Sequence, residues 1–223
     1  MSEIEEVARA AAEASKFGTR ALETTEKLTS FVAKVFKEPI GDAVGIIGDR
    51  LRFMRWERQV RLADRVNEIL NQRGIVETRA VPPRLALPIF ENASMEDNNE
   101  LQDLWAKLLA NSMDSNFIPE LRYAYLEIIK SLNPLDVKIL HALYNWLSKK
   151  ETDWDRITQH MFTKQEICQR LSISSQDYEV SAYNLFRVQC LAQPFTTMLV
   201  MSKDTQTVVI TPLGKSFVEA CIK

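Results

Sequence analysis

Four carboxylates in the middle of the chain are the side chains best suited to hold a divalent cation. Glu96, Glu100 and Asp103 recur at helical spacing, and Asp97 lies beside them. Carboxylate oxygens are ligands for Ca²⁺ or Mg²⁺, but acidic residues also stabilise the positive end of a helix without any metal. No histidine is near them in the sequence, and no second acidic motif clearly complements them. We therefore interpret them as the start of a helix and expect no metal and no other cofactor.

The two histidines are the remaining candidates for chemistry. Neither His141 nor His160 has a second histidine or a cysteine at the spacing of a zinc site. The zinc-protease, Walker, nucleophile-elbow and dinucleotide-binding motifs do not occur in the sequence. We therefore expect no catalytic residue and predict that the protein is not an enzyme.

A run of arginines is the sharpest charge feature. Six of them fall within a short span, interrupted there only by Glu57 and Asp64: Arg50, Arg52, Arg55, Arg58, Arg61 and Arg65. Guanidinium groups bind phosphates, anionic lipids and acidic proteins, although a charge run is usually a solvated face. Because three of the arginines share one helical face, we predict a contact with one of these partners through Arg55, Arg58, Arg61 and Arg65.

Small residues precede the arginines. Gly41, Ala43, Gly45 and Gly48 lie at the start of a predicted helix, where each glycine costs about 1 kcal/mol relative to alanine. Their small size lets another backbone approach closely. We interpret them as a tight crossing with the preceding helix, the alternative being a switchable or membrane-inserting segment.

Composition and charge set the broad class. The chain has 223 residues, 46% of them hydrophobic and 26% charged, with a formal net charge of −2, which is ordinary for a globular protein. This charge excludes a surface that attracts nucleic acid everywhere, so any such site must be local. Cys168, Cys190 and Cys221 form no C-x-x-C motif, which favours reduced thiols. Without a secretory signal or about 18 consecutive apolar residues, the sequence predicts a cytoplasmic protein.

The first 80 residues are predicted to form a long helical hairpin. Ser2 and Glu5 have the spacing of a capping box, and an apolar stripe follows at Leu28, Phe31, Val32 and Val35. A second helix is predicted between Pro39 and Gly74, since proline suits the first turn of a helix and glycine closes the last.

Residues 81–152 are predicted to form a helical bundle. Val81-Pro82-Pro83 indicates an extended linker, and Ser94 with Asp97 offers a helix cap. A strong single-face pattern follows at Leu101, Leu104, Trp105, Leu108 and Leu109. Further helices are predicted to begin at Pro119 and at Asn133-Pro134.

Residues 153–223 are predicted to form a winged helix. Two capping-box spacings, at Thr163 and at Ser174, open two short helices that are joined by 172–174. Strand-forming residues 196–201 and 207–211 then flank a turn, which predicts a small β-hairpin. A last helix follows Pro212-Leu213-Gly214. The predicted fold is therefore mainly α, with a helical hairpin and bundle followed by a winged-helix unit.

Three motifs lie between residues 37 and 145: Lys37-Glu38-Pro39-Ile40, then Glu96-Asp97 ahead of Leu101-Gln102-Asp103-Leu104-Trp105-Ala106-Lys107-Leu108-Leu109-Ala110-Asn111, then Ser131-Leu132-Asn133-Pro134-Leu135-Asp136. Through them this region resembles the Abi-alpha family, the abortive-infection alpha domain of bacterial phage-defence proteins. It implies a role in defence against phage. It implies no defined reaction and no catalytic residues.

The predicted function is that of a nonenzymatic component of phage defence that recognises a partner macromolecule. We expect a protein partner or self-association, while nucleic acid and peripheral membrane contact stay open and no small-molecule substrate is evident. One alternative is a winged-helix transcription regulator, for which the DNA contacts would be Gln176, Asn184, Arg187 and Lys203. The other is a membrane-acting defence effector that inserts the region from Leu28 to Trp56.

Overall fold

The computed structural model of the chain describes residue 23 and residues 26–37, 56–148, 161–194 and 207–222. It divides into two compact units, one formed by Met1–Met95 with Ser112–Ser115 and the other by Glu96–Asn111 with Asn116–Lys223. Most of the described residues are helical, which confirms the mainly α prediction. The division into 1–80, 81–152 and 153–223 stays a prediction.

The first unit is built from helices. Residues 26–36 are helical, and they are followed by α1 (Trp56–Gln72) and α2 (Pro83–Met95). The predicted apolar stripe of residues 28–35 is buried, and Phe31 meets Phe90 of α2 with ring centroids 6.0 Å apart. Gly74 follows α1 with φ +67, as predicted for a helix end. Ser2, Glu5, Pro39 and the small residues 41–48 lie outside the described residues.

Helix α2 was not predicted. Val81-Pro82-Pro83 was predicted to be an extended or turning linker, whereas Pro83 occupies the first position of the helix and Pro88 lies inside it. Pro88 has no backbone N–H and so cannot donate a hydrogen bond within the helix. Its carbonyl accepts a hydrogen bond from the Asn92 side chain at 2.6 Å. Burial of an apolar face, which includes Ile89 and Phe90, offsets that loss.

The second unit contains α3 (Asn99–Met113) as far as Asn111, together with α4 (Ala124–Ser131), α5 (Pro134–Ser148), α6 (Lys164–Leu171), α7 (Ser175–Arg187) and α8 (Pro212–Phe217). A π-helical turn, Val218–Ile222, continues α8. The strands are β1 (Phe162–Thr163), β2 (Leu191–Ala192) and β3 (Thr207–Ile210). They form an antiparallel sheet in the order β1-β3-β2, in which Phe162 pairs with Val208 and Leu191 with Ile210.

Two predicted helix starts were wrong. The cap of α3 is Asn98, whose Oδ1 accepts from the backbone N–H groups of Glu100 and Leu101 at 2.9 and 3.1 Å. Ser94 belongs to the preceding helix, where its hydroxyl donates to Glu91 O. The segment from Pro119 is also not helical until α4 begins at Ala124. Several polar residues compete for each cap, and local spacing alone does not decide among them.

The other helix starts of the C-terminal segment are as predicted. Thr163 Oγ1 accepts from Glu166 N at 3.2 Å, and Ser174 Oγ accepts from Asp177 N at 3.0 Å. Strand β3 confirms the second predicted strand, but residues 196–201 and Lys203 lie outside the described residues. The helix pair and the sheet order are compatible with a winged helix, which stays a prediction.

Gly214 is required by a close approach of two backbones. A Cβ atom at this position would lie 2.2 Å from Cys190 O, and the same carbonyl accepts from Thr211 N at 3.1 Å. A backbone carbonyl cannot move away as the end of a flexible side chain can. A side chain at position 214 would therefore clash with Cys190 O.

We expect Gly214→Ala to lower the free energy of unfolding by at least about 2 kcal/mol, because overpacking against backbone forces a shift of the chain. Gly74→Ala is the matched control, since its Cβ would meet open space and only the left-handed φ costs about 1 kcal/mol. Urea unfolding of both variants tests this. Equal losses in the two would contradict the clash.

Trp105 is 1% exposed, as its place in the apolar pattern predicts. Trp105→Ala should lower the free energy of unfolding by about 3–5 kcal/mol, as expected for a large-to-small change in a core. A variant with an unchanged unfolding midpoint but a lost function would instead make Trp105 a ligand-binding residue.

Candidate recognition site

The outer face of α7 exposes two large apolar side chains. Val180 and Tyr183 lie three residues apart, and they are 65% and 64% exposed. Tyr183 also meets Phe186 edge to face, with ring centroids 6.4 Å apart. Gln176, one turn before Val180, is exposed as well. We call Gln176, Val180 and Tyr183 the α7 face.

The polar residues near the end of α7 are engaged inside the unit. Asn184 Nδ2 donates at 2.7 Å both to Ser131 O and to Asp136 Oδ2. Its Oδ1 accepts from Arg187 Nη2, also at 2.7 Å. Asp136 is buried, and its Oδ2 accepts a further bond from Asn133 N. The Asn184 amide thus links α7 to the start of α5.

The first turns of α7 are acidic. Asp177 is exposed, and its Oδ2 accepts from Ser174 Oγ. Glu179 forms an ion pair with Lys164 of α6. The arrangement brings two carboxylates to the end of the helix that would lead into a DNA groove if α7 acted as a recognition helix.

The described part of the arginine run is of mixed charge. Arg58 and Arg65 are half-buried, while Arg61 is exposed on the same stripe of α1 as Glu57, Asp64 and Glu68. Arg65 Nη1 lies 2.6 Å from Glu68 Oε2. Arg55 is outside the described residues. The carboxylates on this face reduce its attraction for phosphates.

In the described part of the chain, the four acidic residues near position 100 and His141 do not come together as a metal site. Among the described residues, no group of three or more His, Cys, Asp or Glu side chains is placed to hold a metal ion. Glu96 Oε1 accepts from Asn98 N and so supports the start of α3. Burial and the proximity of Lys107 lower the pKa of His141. His160 lies outside the described residues.

The three cysteines are free thiols. Cys190 and Cys221 are buried, and Cys168 is half-buried. Burial raises the pKa of Cys190 to about 12, and it also raises the pKa of Cys221. Because the thiolate is the reactive form, burial disfavours reaction of these two thiols.

The comparisons with known proteins identify the family. A family model described as abortive infection alpha matches residues 57–221. The chain belongs to this family. Membership associates it with abortive infection, a form of defence against phage. No curated protein and no solved structure matches the chain.

The family match extends further along this Abi-alpha chain than the resemblance noted from its sequence. The resemblance noted from sequence covered residues 37–145, whereas the match begins within α1 and extends into the C-terminal π-helical turn. The helix pair α6–α7 and the small sheet therefore belong to the matched region. The α7 face lies within it too.

The motif that carries the Abi-alpha resemblance binds the C-terminal turn. Lys107 Nζ donates to Ile222 O, and Asn111 Nδ2 donates to Ala220 O at 2.7 Å. The two donors are four residues apart and so lie on one face of α3. The apolar residues of the motif, Trp105 among them, are buried. Packing and hydrogen bonding therefore account for these residues of the motif.

No helix in the described ranges is both long enough and apolar enough to cross a membrane.

Asn184→Ala should lower the free energy of unfolding by about 1–2 kcal/mol, because two hydrogen bonds are lost and one of them is to a buried carboxylate. Asn184→Asp should cost more, since it places a second carboxylate against Asp136. Gln176→Ala, on the outer face of the same helix, should stay within about 0.5 kcal/mol of the parent. Thermal unfolding at neutral pH measures all three, and an Asn184→Asp variant as stable as the parent would contradict the link between α7 and α5.

Proposed function

We propose that this protein is a nonenzymatic, cytoplasmic component of bacterial phage defence that acts by recognising another protein, and that the α7 face is part of the contact. The observation that carries the proposal is the exposure of Val180 and Tyr183 side by side. Tyrosine is enriched in protein interfaces and supplies much of their binding energy. An apolar pair on the outer face of a helix therefore fits a protein better than it fits DNA.

The charges of α7 also favour a protein partner. A recognition helix gains affinity from lysine and arginine that approach phosphates, whereas the first turns of α7 carry Asp177 and Glu179. Asn184 and Arg187, two of the predicted DNA contacts, are hydrogen-bonded to each other. Asn184 would have to leave Asp136 before it read a base edge. Gln176 is the exposed member of the set, and Lys203 lies outside the described residues.

The arginine run supplies a second predicted contact through Arg55, Arg58, Arg61 and Arg65. On its described part, arginines alternate with carboxylates, and Arg65 is paired with Glu68. A face of mixed sign complements a protein surface of mixed sign, while it gives a phosphate backbone or anionic lipid little net attraction.

The membrane-acting alternative requires the first unit to rearrange, whereas protein recognition through the exposed α7 face does not. It would bring the region from Leu28 to Trp56 into the lipid interface. Leu28, Phe31 and Val35 are buried in the first unit, so this segment would have to leave its core first. Flotation with anionic vesicles separates the alternatives, since a protein-recognition component should stay with the soluble fraction.

The double variant Val180→Lys with Tyr183→Lys should abolish protection in a phage challenge and lose the captured protein partner, because two charges replace the proposed apolar contact. Its melting temperature should stay that of the parent, since both side chains are exposed. The matched control is Val76→Lys with Ile118→Lys, at side chains that are 91% and 95% exposed elsewhere. Full protection in the α7 double variant would contradict the proposal, and so would recovery of one enriched genomic DNA site whose binding is lost in Gln176→Ala.

Replacing Arg58, Arg61 and Arg65 by glutamine should weaken a salt-sensitive association at least about tenfold while the protein stays folded. The control triple replaces Arg73, Arg84 and Arg122, which lie outside the run. Affinity for the captured partner is measured at two salt concentrations. If protection and capture survive the first triple change, the arginine run is an ordinary solvated face.

A further inference from the structure

The exposed stripe that contains the α7 face continues to the end of its helix. Arg187 follows Tyr183 by four residues and is exposed. The stripe therefore recurs at spacings of four, three and four residues, through Gln176, Val180, Tyr183 and Arg187. This spacing keeps side chains on one side of a helix and is the one used where two helices pack along their lengths. Since the opposite side of α7 is buried in the unit, the whole stripe faces outward.

The stripe is self-complementary when two copies of α7 lie antiparallel. Its midpoint falls between Val180 and Tyr183, so Val180 of one copy lies opposite Tyr183 of a second copy, and the reverse holds as well. The same symmetry sets Gln176 opposite Arg187. A two-fold axis produces reciprocal contacts of this kind, in which one surface patch pairs with itself. An unrelated partner would not require the stripe to mirror itself in this way.

The ends of the stripe carry opposite charges. Asp177, in the first turn of α7, and Arg187, in the last turn, are both exposed. Within the described residues, their side chains bond to neutral groups: Asp177 Oδ2 accepts from Ser174 Oγ at 2.7 Å, and Arg187 Nη2 donates to Asn184 Oδ1 at 2.7 Å. A carboxylate has about four acceptor sites and a guanidinium about five N–H donors. Each charge therefore keeps groups with which to form an ion pair.

Asn184 draws the Arg187 side chain towards the flank of α7 on which Asp177 lies. Asp177 and Asn184 are seven residues apart, which is close to two full turns, so they share one flank of the helix. A two-fold axis that relates two antiparallel helices brings equivalent flanks of the two copies together. Arg187 of one copy is therefore turned towards Asp177 of the other, and this happens at both ends of the pair.

We propose that the protein bound by the α7 face is a second copy of this chain, with the two α7 helices antiparallel about a two-fold axis. Val180 and Tyr183 of both copies form the apolar centre, and ion pairs between Asp177 and Arg187 close the two ends. The proposal rests on the function proposed above, in which the α7 face contacts a protein, and it names that protein. A helix of 13 residues is about 20 Å long, so the contact is small and we expect a micromolar dissociation constant.

Charge reversal on the full chain tests the pairing. Asp177→Lys and Arg187→Glu should each weaken self-association at least about tenfold, because like charges then face each other at both ends of the pair. An equimolar mixture of the two variants should restore the association, since opposite charges face each other again in a mixed pair. Sedimentation velocity at micromolar concentrations measures the dissociation constants, and circular dichroism checks that each variant is folded.

The matched controls are Glu77→Lys and Arg73→Glu, which reverse exposed charges of the first unit. Both should associate as the parent does. The proposal is overturned if the parent is a monomer at these concentrations, or if the folded α7 variants associate as the controls do. It is also overturned if the mixture of folded α7 variants stays as weak as each variant alone.

Disulfide cross-linking tests the direction of the helices without changing the first acidic residue of α7. Gln176→Cys and Arg187→Cys are each made with Cys168→Ser, because Cys168 is only half-buried. Equivalent positions in an antiparallel pair lie about 16 Å apart along the helix, and a disulfide needs Cα atoms within about 7 Å. A mixture of the two variants should therefore cross-link, while neither should cross-link alone. Cross-linking of Gln176→Cys with itself would overturn the antiparallel pair.

Failure of the pairing and failure of the proposed function give different results. If the parent is a monomer while Val180→Lys with Tyr183→Lys still abolishes protection, the pairing is wrong and the α7 face binds a different protein. If the parent pairs as proposed while that double variant protects fully, the pairing stands and the function proposed for the α7 face is wrong.

Discussion

The buried π-helical turn Val218–Ile222 must find hydrogen-bond donors for its last carbonyl groups, because the final carbonyls of a helix have no partner within that helix. The π-helical turn Val218–Ile222 is almost wholly buried, so water is not available to most of it. Lys107 and Asn111 of α3 supply the donors. The pairing fixes the C-terminal turn on α3, and α8, which precedes the turn, is placed with it. Gly214 in α8 then allows the backbone to approach Cys190.

The hydrogen bonds of Asn184 determine which residues of α7 are exposed to solvent. Asn184 faces inward because Asp136 and Ser131 O accept both of its amide hydrogens. With that side fixed, the helical period leaves Val180 and Tyr183 outward. A buried carboxylate that loses a partner is costly, so the orientation of α7 is held firmly. The surface available for recognition follows from a hydrogen bond on the opposite side of the same helix.

A groove between α3 and α5 depends on the same framework. Lys107 lies in its wall and also holds Ile222 O, so the position of the C-terminal turn shapes the groove. The groove could not be predicted from the sequence, since its lining residues come from three separate stretches near residues 100, 134 and 222. The groove forms only after α3, α5 and the C-terminal turn have packed together.

The sequence alone determined the helical class, the burial of Leu28, Phe31 and Trp105, the caps at Thr163 and Ser174, and the family. These features depend on local spacing, which repeats with the helical period and therefore shows in a linear pattern. Helix α2, the cap at Asn98, the inward role of Asn184, the groove and the anchoring of Ile222 were decided by tertiary structure. Each of these features depends on a contact with a residue distant in sequence or on competition with a neighbouring polar residue. The spacing of residues along the sequence predicts neither. The environment of the arginine run was likewise not predicted from the sequence, because only the structure shows which carboxylates are exposed beside Arg61.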